Sequence, residues 1–298
     1  MSSRIGPAGV WSSFDRLPGS EVIDFARAAE AAGYDTVWTQ ESAGRDPFAL
    51  LAALAARTDR IGLGVGIAIL YGRDPVAMKA GAATVHELSG GRMLLGIGAS
   101  HRDTVSEVRG HGYGPPLSAM REYLAAYASA PYRGPQPYGP APVVLAALRE
   151  RMLRLSGTDA DGAFPYLVPA SYVPGARSRL DVAATGRPRP MLIVSQACLL
   201  ETDPLTARTA ARRYLDRYLG LPNYLANLRE AGFSDADLAK PGSDRLVDAL
   251  VAWGDPATVR TRLHDMLQAG ADQVAMIPLT AEGLHADRST MEALAPPW

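Results

Sequence analysis

The chain has 298 residues, a formal net charge of −1 and one cysteine, Cys198. A nearly neutral protein is a poor partner for nucleic acid or for an anionic membrane. One cysteine excludes an internal disulfide and a cysteine-based metal cluster, and it is typical of a reducing cytosol. Residues 1–15 lack the apolar core of a signal peptide, and no apolar run approaches the about 18 residues of a membrane span. We therefore expect a cytoplasmic protein.

Strand-like and helix-like segments alternate from one end of the chain to the other. Eight segments have the pattern of strands, namely 4–11, 34–39, 61–69, 93–98, 142–147, 162–168, 191–196 and 272–278. This alternation predicts a single domain, residues 1–298, folded as a (β/α)8 TIM barrel, with an open doubly wound sheet as the alternative. The long stretch between the seventh and eighth strands exceeds what one unit needs, so we expect extra helices there.

The central unit, 61–98, has the clearest pattern. Two continuous apolar strands flank a helix predicted over 75–88, which begins with Asp74 as N-cap and Pro75 at its first position. We expect the two strands to be adjacent and buried. Glycines alternate along the first strand, which indicates either a ligand that approaches closely or tight packing inside a barrel. The segment 96–101 lacks the third glycine of a dinucleotide fingerprint, so a Rossmann fold is not favoured.

The candidate catalytic residues are His101 and Glu41, because each directly follows a predicted strand, where barrel enzymes place their active sites. A histidine can donate or accept a proton near neutral pH. The alternatives are a surface histidine at the start of a loop and an ordinary salt bridge from Glu41 to Arg45 or Arg73. The other strand ends carry small apolar residues, with no metal-ligand spacing and no P-loop, which favours a flat, stacked cofactor over hydrolysis.

Three segments carry a family resemblance: 66–75, 88–92 (Leu-Ser-Gly-Gly-Arg) and 96–101 (Gly-Ile-Gly-Ala-Ser-His). With them the chain resembles the bacterial luciferase-like flavin and deazaflavin superfamily, and within it the actinobacterial oxidoreductases that depend on coenzyme F420. The likeness extends from residue 9 to residue 274. It implies hydride transfer between F420 and a small organic substrate. An FMN-dependent monooxygenase and a non-catalytic, ligand-binding barrel are the alternatives.

The resemblance also assigns residues. It implies that His101 occupies the acid/base position after the fourth strand, where relatives often carry Glu, and that Glu41 lies close to a position where they keep His or Glu. It further implies a non-prolyl cis peptide at Ala68–Ile69 that supports the cofactor ring. The residues that we expect along the ring are Gly66, Ala68, Ile69, Gly98 and Ser100.

A second cofactor segment is the loop before the helix that starts near residue 174. Its backbone N–H groups and the Ser171 hydroxyl are suited to a phosphate, although N-capping by Ser171 is an equal alternative. The cofactor-binding residues predicted here are Pro169, Ala170, Ser171, Tyr172, Arg177 and Arg179. Together with Arg73 and Arg102, the two arginines are expected to surround the opening and to favour the acidic tail of F420 over FMN.

The segment 48–56 is apolar on every face, whereas an outer helix of a barrel has only one face to bury against strands. An exposed apolar face of that size usually marks an interface. We therefore expect a homodimer through this helix and the helix at 75–88.

Overall fold

The computed structural model describes residues 5–298. Its strands are β1 (Ala8–Trp11), β2 (Thr36–Thr39), β3 (Gly62–Ile69), β4 (Met93–Gly98), β5 (Val143–Leu145), β6 (Gly162–Ala163), β7 (Met191–Leu200), β8 (Val251–Gly254) and β9 (Gln273–Pro278). Its helices are α1 (Gly19–Ala31), α2 (Pro47–Ala55), α3 (Pro75–Leu88), α4 (Pro116–Ser129), α5 (Glu150–Asp159), α6 (Val173–Ala183), α7 (Pro204–Leu215), α8 (Pro222–Glu230), α9 (Asp235–Leu238), α10 (Asp244–Leu250), α11 (Pro256–Gln268) and α12 (Arg288–Ala293). None of the helices in this part of the chain is both long and apolar enough to cross a membrane.

Eight parallel strands close into a barrel. The strands β1 to β6 pair in sequence, β6 pairs with β7, β7 with β9, and β9 with β1. The helices surround this sheet, so the predicted TIM barrel is confirmed and the open sheet is wrong. That the whole chain forms one domain stays a prediction. The carboxyl ends of the eight strands define one face, which we call the barrel mouth.

The structure confirms the predicted helix and the predicted second strand of the central unit. The Asp74 carboxylate caps α3 by accepting from the N–H groups of Val76 and Ala77, and β3 pairs with β4 as expected. The strand β4 is buried throughout. The expectation that β3 is also fully buried is wrong, because Gly66 and Ile67 stay partly exposed where the strand bulges at the barrel mouth.

Three strand predictions need correction. The sixth strand was expected over 162–168 but ends at Ala163, because Pro165 lacks the N–H group that a parallel ladder requires. The seventh strand continues to Leu200, and its last four residues pair with β8 on the edge that β6 leaves open. The inserted segment therefore contributes this extra short strand as well as the helices α7 to α10. The first strand begins at Ala8, and Arg4 lies outside the described residues.

The alternating glycines of β3 make room for large aromatic rings inside the barrel. A Cβ atom on Gly64 would lie 2.1 Å from Cε3 of Trp38. This tryptophan is fully buried, and its indole N–H donates to the Gln273 side chain at 2.8 Å. The ring has no space to move aside. Glycine at position 64 is therefore explained by close packing inside the barrel.

Replacing Gly64 with alanine is expected to lower the free energy of unfolding by about 3 kcal/mol, since the added methyl overlaps a fixed ring. Urea denaturation measures this change. The control is Gly112→Ala, because no heavy atom lies within 4 Å of the Cβ that it would add. Equal stability of the two variants would show that the barrel interior is loosely packed.

The apolar helix α2 is buried largely within its own chain. Its large side chains Phe48, Leu50, Leu51 and Leu54 are all at most 9% exposed. The Phe48 ring packs on Gly81 of α3, and alanines make up its exposed face. The exposed face of this helix is therefore apolar, as expected, but it consists of small side chains. The homodimer itself stays a prediction.

Candidate active site

A bulge interrupts β3 at the barrel mouth. The pairing of β3 with β4 shifts register between Val65 and Ala68, and the peptide bond Gly66–Ile67 is cis. The expected cis bond at Ala68–Ile69 is therefore two residues too far along the chain. Gly66 and Ile67 are partly exposed, whereas Ala68 and Ile69 are buried. Of the residues predicted along the cofactor ring on this strand, only Gly66 reaches the accessible surface.

Three contacts fix the backbone of this bulge. The Trp11 indole N–H donates to the Gly66 carbonyl at 2.7 Å, and the Glu41 N–H donates to the Ile67 carbonyl at 3.1 Å. A Cβ atom on Gly66 would lie 2.4 Å from Phe164, whose ring packs directly against this glycine. On β4, a Cβ atom on Gly98 would lie 2.6 Å from the Ile67 side chain. Gly98 is buried, so it makes room for the bulge and lies behind the exposed surface.

The Glu41 carboxylate is fully engaged. It accepts the Ile69 N–H at 2.7 Å and forms ion pairs with Arg73 at 2.8 Å and with Arg109 at 3.1 Å. Its side chain is only 4% exposed. Two of these donors bind Oε2 and one binds Oε1, so the carboxylate is fixed in place. Through the Ile69 N–H, Glu41 holds the bulge, and the catalytic role expected from the sequence stays a prediction.

His101 is half-buried in the barrel mouth. Ser100, before it, has a φ of 58°, and its carbonyl accepts the Tyr113 hydroxyl at 3.1 Å, so the turn is fixed. The His101 ring lies 5.6 Å from the ring of Tyr224. Burial, followed by the positive charge of Arg217, lowers the pKa of His101 below its usual value. The imidazole is therefore neutral at pH 7 and is suited to accept a proton.

Four tyrosines, Tyr166, Tyr214, Tyr218 and Tyr224, form what we call the tyrosine cluster. Tyr166 follows β6, and the other three come from the inserted segment and lie over the barrel mouth. The Tyr166 hydroxyl is 2.7 Å from that of Tyr214 and 2.8 Å from that of Tyr218. The sequence interpretation missed this cluster, because the tyrosines lie in separate elements and a long insertion gives no register.

The cluster reaches the bulge through Trp11. The Tyr166 ring lies 5.5 Å from the Trp11 ring, while His285 lies 5.3 Å from Trp11 and 5.6 Å from Tyr214. Burial lowers the pKa of His285 to about 4, so it is neutral. Its Nδ1 atom is buried without a hydrogen-bond partner among the described residues. No role for His285 could be predicted from its position in the sequence.

The predicted phosphate loop lies beside this site. Residues Ala170–Tyr172 form a 3₁₀ turn that leads directly into α6. The Ser171 side chain is exposed and makes no capping bond, so plain N-capping does not describe it. Tyr172 donates its hydroxyl to the Leu148 carbonyl at 2.7 Å, and Pro169 is buried. The exposed Ser171 side chain therefore lies on a fixed support at the start of α6.

The expected arginine rim is wrong at Arg177, and Arg73 is engaged in ion pairs. Arg177 is 7% exposed, and it binds Asp272 and the Pro190 carbonyl, both at 2.9 Å. Those partners precede β9 and β7, so Arg177 lies toward the amino ends of the strands, away from the barrel mouth. Arg73 is held by Glu41 and Asp46.

The other two arginines of the predicted rim are available. Within residues 5–298, neither Arg102 nor Arg179 has an ion-pair partner. Arg102 stacks over the Tyr113 ring at 5.1 Å. Arg179 is exposed one turn into α6.

Arg177→Ala is expected to lower the free energy of unfolding by about 2 kcal/mol, because the Pro190 carbonyl loses its donor and Asp272 keeps only Arg189 and the Leu192 N–H. Cofactor affinity should not change. Arg179→Ala, on the same helix but exposed, should alter stability by less than about 0.5 kcal/mol. Urea denaturation and a cofactor titration of both variants measure these effects. A loss of cofactor affinity without loss of stability in Arg177→Ala would return this residue to the cofactor site.

Comparisons with known proteins agree with the barrel fold. The sequence profile of the luciferase-like monooxygenase family matches residues 8–273. A 5,10-methylenetetrahydromethanopterin reductase of Methanolobus tindarius is 25% identical over 86% of this chain and 90% of its own length. A solved F420-dependent secondary alcohol dehydrogenase, in complex with an F420–acetone adduct, superposes with a TM-score of 0.78 at 13% identity over 97% of this chain and 96% of its own. The oxygenating constituent of 3,6-diketocamphane monooxygenase from Pseudomonas putida, in complex with FMN, gives a TM-score of 0.72 at 15% identity over 97% of both chains.

Proposed function

Because the chain belongs to the luciferase-like monooxygenase family, we propose that it is an oxidoreductase that transfers a hydride between coenzyme F420 and a small organic substrate. The observation that carries this proposal is the accessible bulge at Gly66 and Ile67, fixed by Trp11, Glu41 and Phe164. An apolar backbone ledge of this kind is suited to the face of a flat ring.

The residues present fit such a cofactor. Gly66 and Ile67 would support its ring, while Ser171 and the Ala170 amide would hold a phosphate at the start of α6. When bound, the deazaflavin supplies a carbon that accepts or donates a hydride. The chain's own part is to position this ring against the substrate and to exclude water through the tyrosine cluster.

His101 is the residue that we assign to proton transfer. Its ring is half-buried beside Tyr224, and it follows β4 directly, next to the bulge on β3. A neutral imidazole can take the hydroxyl proton of an alcohol as its carbon loses a hydride, and it can return the proton in the reverse direction. Glu41, which is closed off by its two arginines, positions the bulge in this proposal.

F420 is favoured over FMN by the cations available at the barrel mouth. Arg102 and Arg179 extend from the loop after β4 and from α6, where an acidic tail that leaves the barrel would pass. The F420-dependent reductase and dehydrogenase among the similar proteins support the same choice. FMN monooxygenase activity is the second candidate, supported by the FMN-bound structural neighbour.

An anaerobic assay tests this function. Reduced F420 is mixed with the protein and a panel of neutral ketones and aldehydes, and oxidation of F420 is followed by its visible absorbance. We expect turnover without oxygen, in proportion to enzyme concentration. Turnover that needs both oxygen and reduced FMN would instead establish the monooxygenase. Inactivity with both cofactors, with neither of them bound, would show a non-catalytic barrel.

A further inference from the structure

The tyrosine cluster has one hydroxyl proton more than its own hydrogen bonds use. Tyr166, Tyr214 and Tyr218 carry three hydroxyl protons, and two hydrogen bonds, at 2.7 and 2.8 Å, join their oxygens. Each bond uses one proton. Among the described residues these three hydroxyls have no other hydrogen-bond partner. One O–H donor is therefore left to point at something else.

The spare proton can be located from exposure. Tyr214 is 6% exposed, whereas Tyr166 and Tyr218 keep a larger accessible fraction even though other aromatic rings surround them. Tyr166 also stacks on Trp11, which holds the bulge. A spare O–H donor on Tyr166 or Tyr218 therefore lies beside the proposed cofactor ledge.

The surroundings determine the kind of acceptor that fits there. The rings packed around the two hydroxyls are those of Trp11, Tyr224 and Tyr214, all of them uncharged. Burial raises the pKa values of Tyr166 and Tyr218, so both stay protonated. Arg217 acts on Tyr218 as well as on His101, and its positive charge partly offsets the effect of burial at Tyr218, whereas no arginine among the described residues acts on Tyr166. A buried aromatic site with a neutral donor binds a neutral oxygen acceptor better than an anion, which would lose its hydration.

We propose that the free hydroxyl of Tyr166 or Tyr218 binds the carbonyl oxygen of an uncharged, planar substrate held among the rings of the tyrosine cluster. That this ligand is the substrate rests on the proposed function. The hydroxyl pair determines specificity by selecting compounds that carry an oxygen acceptor. A hydrocarbon of the same shape leaves the donor unpaired and is rejected.

Calorimetric titration with a matched pair of probes, acetophenone and ethylbenzene, tests this proposal. The full chain is used as purified, and then with F420 added. Ethylbenzene is the more hydrophobic probe, so simple burial would favour it. We expect acetophenone to bind about tenfold more tightly, because only the ketone pairs with the free hydroxyl.

Three variants make the test specific. Replacing Tyr166 and Tyr218 together with Phe should remove the preference for acetophenone while the apolar surface stays. Tyr214→Phe should keep it, because two hydroxyls with one bond between them still leave one proton free. Tyr34→Phe also keeps it, since the Tyr34 hydroxyl binds the Met291 and Leu294 carbonyls, outside the barrel mouth.

Several results would overturn the proposal. The first is an equal affinity of the wild type for both probes. The second is a preference for acetophenone that survives in the Tyr166→Phe, Tyr218→Phe double variant. The third is that neither probe binds. The result is also separable from the proposed function. A preference for acetophenone in a protein that binds no F420 would support the hydroxyl site and contradict the hydride-transfer function.

Discussion

His101→Ala is expected to lower turnover by about 100-fold or more, because general acid–base catalysis commonly contributes at least that factor. Affinity for the cofactor should stay nearly the same, since the imidazole stacks on Tyr224 and does not form part of the bulge. Steady-state kinetics with a separate cofactor titration measures both effects. His111→Ala, which removes an exposed histidine farther along the same segment, is the control and should retain most of the turnover.

The pH profile identifies the role of His101 more sharply. Because burial and Arg217 lower its pKa, the neutral form is the main one at pH 7 and above. For alcohol oxidation, which needs the neutral base, kcat/KM should be level near neutral pH and fall as the pH drops through the lowered pKa. The alanine variant should lose this acid limb. A parallel loss of cofactor binding would place His101 among the cofactor contacts, and unchanged turnover would leave it as a loop residue.

Glu41→Ala is expected to lower the free energy of unfolding by about 3 kcal/mol, because it leaves two arginines without their buried partner. The ion pairs involved are those with Arg73 and Arg109, whose side chains are 16% and 22% exposed. The Ile69 N–H also loses its acceptor. The bulge would then lose one of its supports. We therefore expect F420 affinity to fall about tenfold, equivalent to about 1.4 kcal/mol.

Two comparisons separate positioning from proton transfer at Glu41. Glu41→Gln keeps an oxygen for the Ile69 N–H, so it should restore part of the cofactor affinity and much of the turnover. Glu230→Ala removes an exposed carboxylate, 3.9 Å from Arg149, and should cost less than about 1 kcal/mol. If Glu41→Gln abolished turnover while stability and cofactor affinity stayed normal, Glu41 would be the proton-transfer group after all.

The barrel could be predicted from the sequence because its signals are local. Continuous apolar strands, the Asp74 cap and Pro75 gave the central unit with its helix and second strand bounded correctly. The short strand β8 could not be predicted, because Val251–Gly254 follows α10 without a break and pairs with an extension of β7. Its existence depends on the edge that β6 leaves free, which is a property of the assembled sheet.

The sequence predicted which residues lie at the site better than it predicted the contacts that these residues make. His101 and Glu41 were found because residues after strands meet at the barrel mouth. The ion pair between Arg109 and Glu41 could not be predicted from the sequence. Arg109 also contacts the carbonyl of Ser42, the residue after Glu41, and 67 residues of chain separate Arg109 from Ser42. Arg177 was misplaced because one turn of helix carries a long side chain toward the opposite end of the barrel. The tyrosine cluster could not be predicted, because its members come together only when the inserted segment is folded.

The central claim is that the bulge and the loop at the start of α6 hold F420. Parallel equilibrium titrations of the purified chain with F420 and with FMN test it most directly, at low and at high ionic strength. We expect saturable binding of one F420 per chain, tighter than that of FMN, and weakened both by salt and by replacing Arg102 and Arg179 together with Ala. FMN that stays bound through purification, or F420 affinity that does not change with salt, would contradict this account.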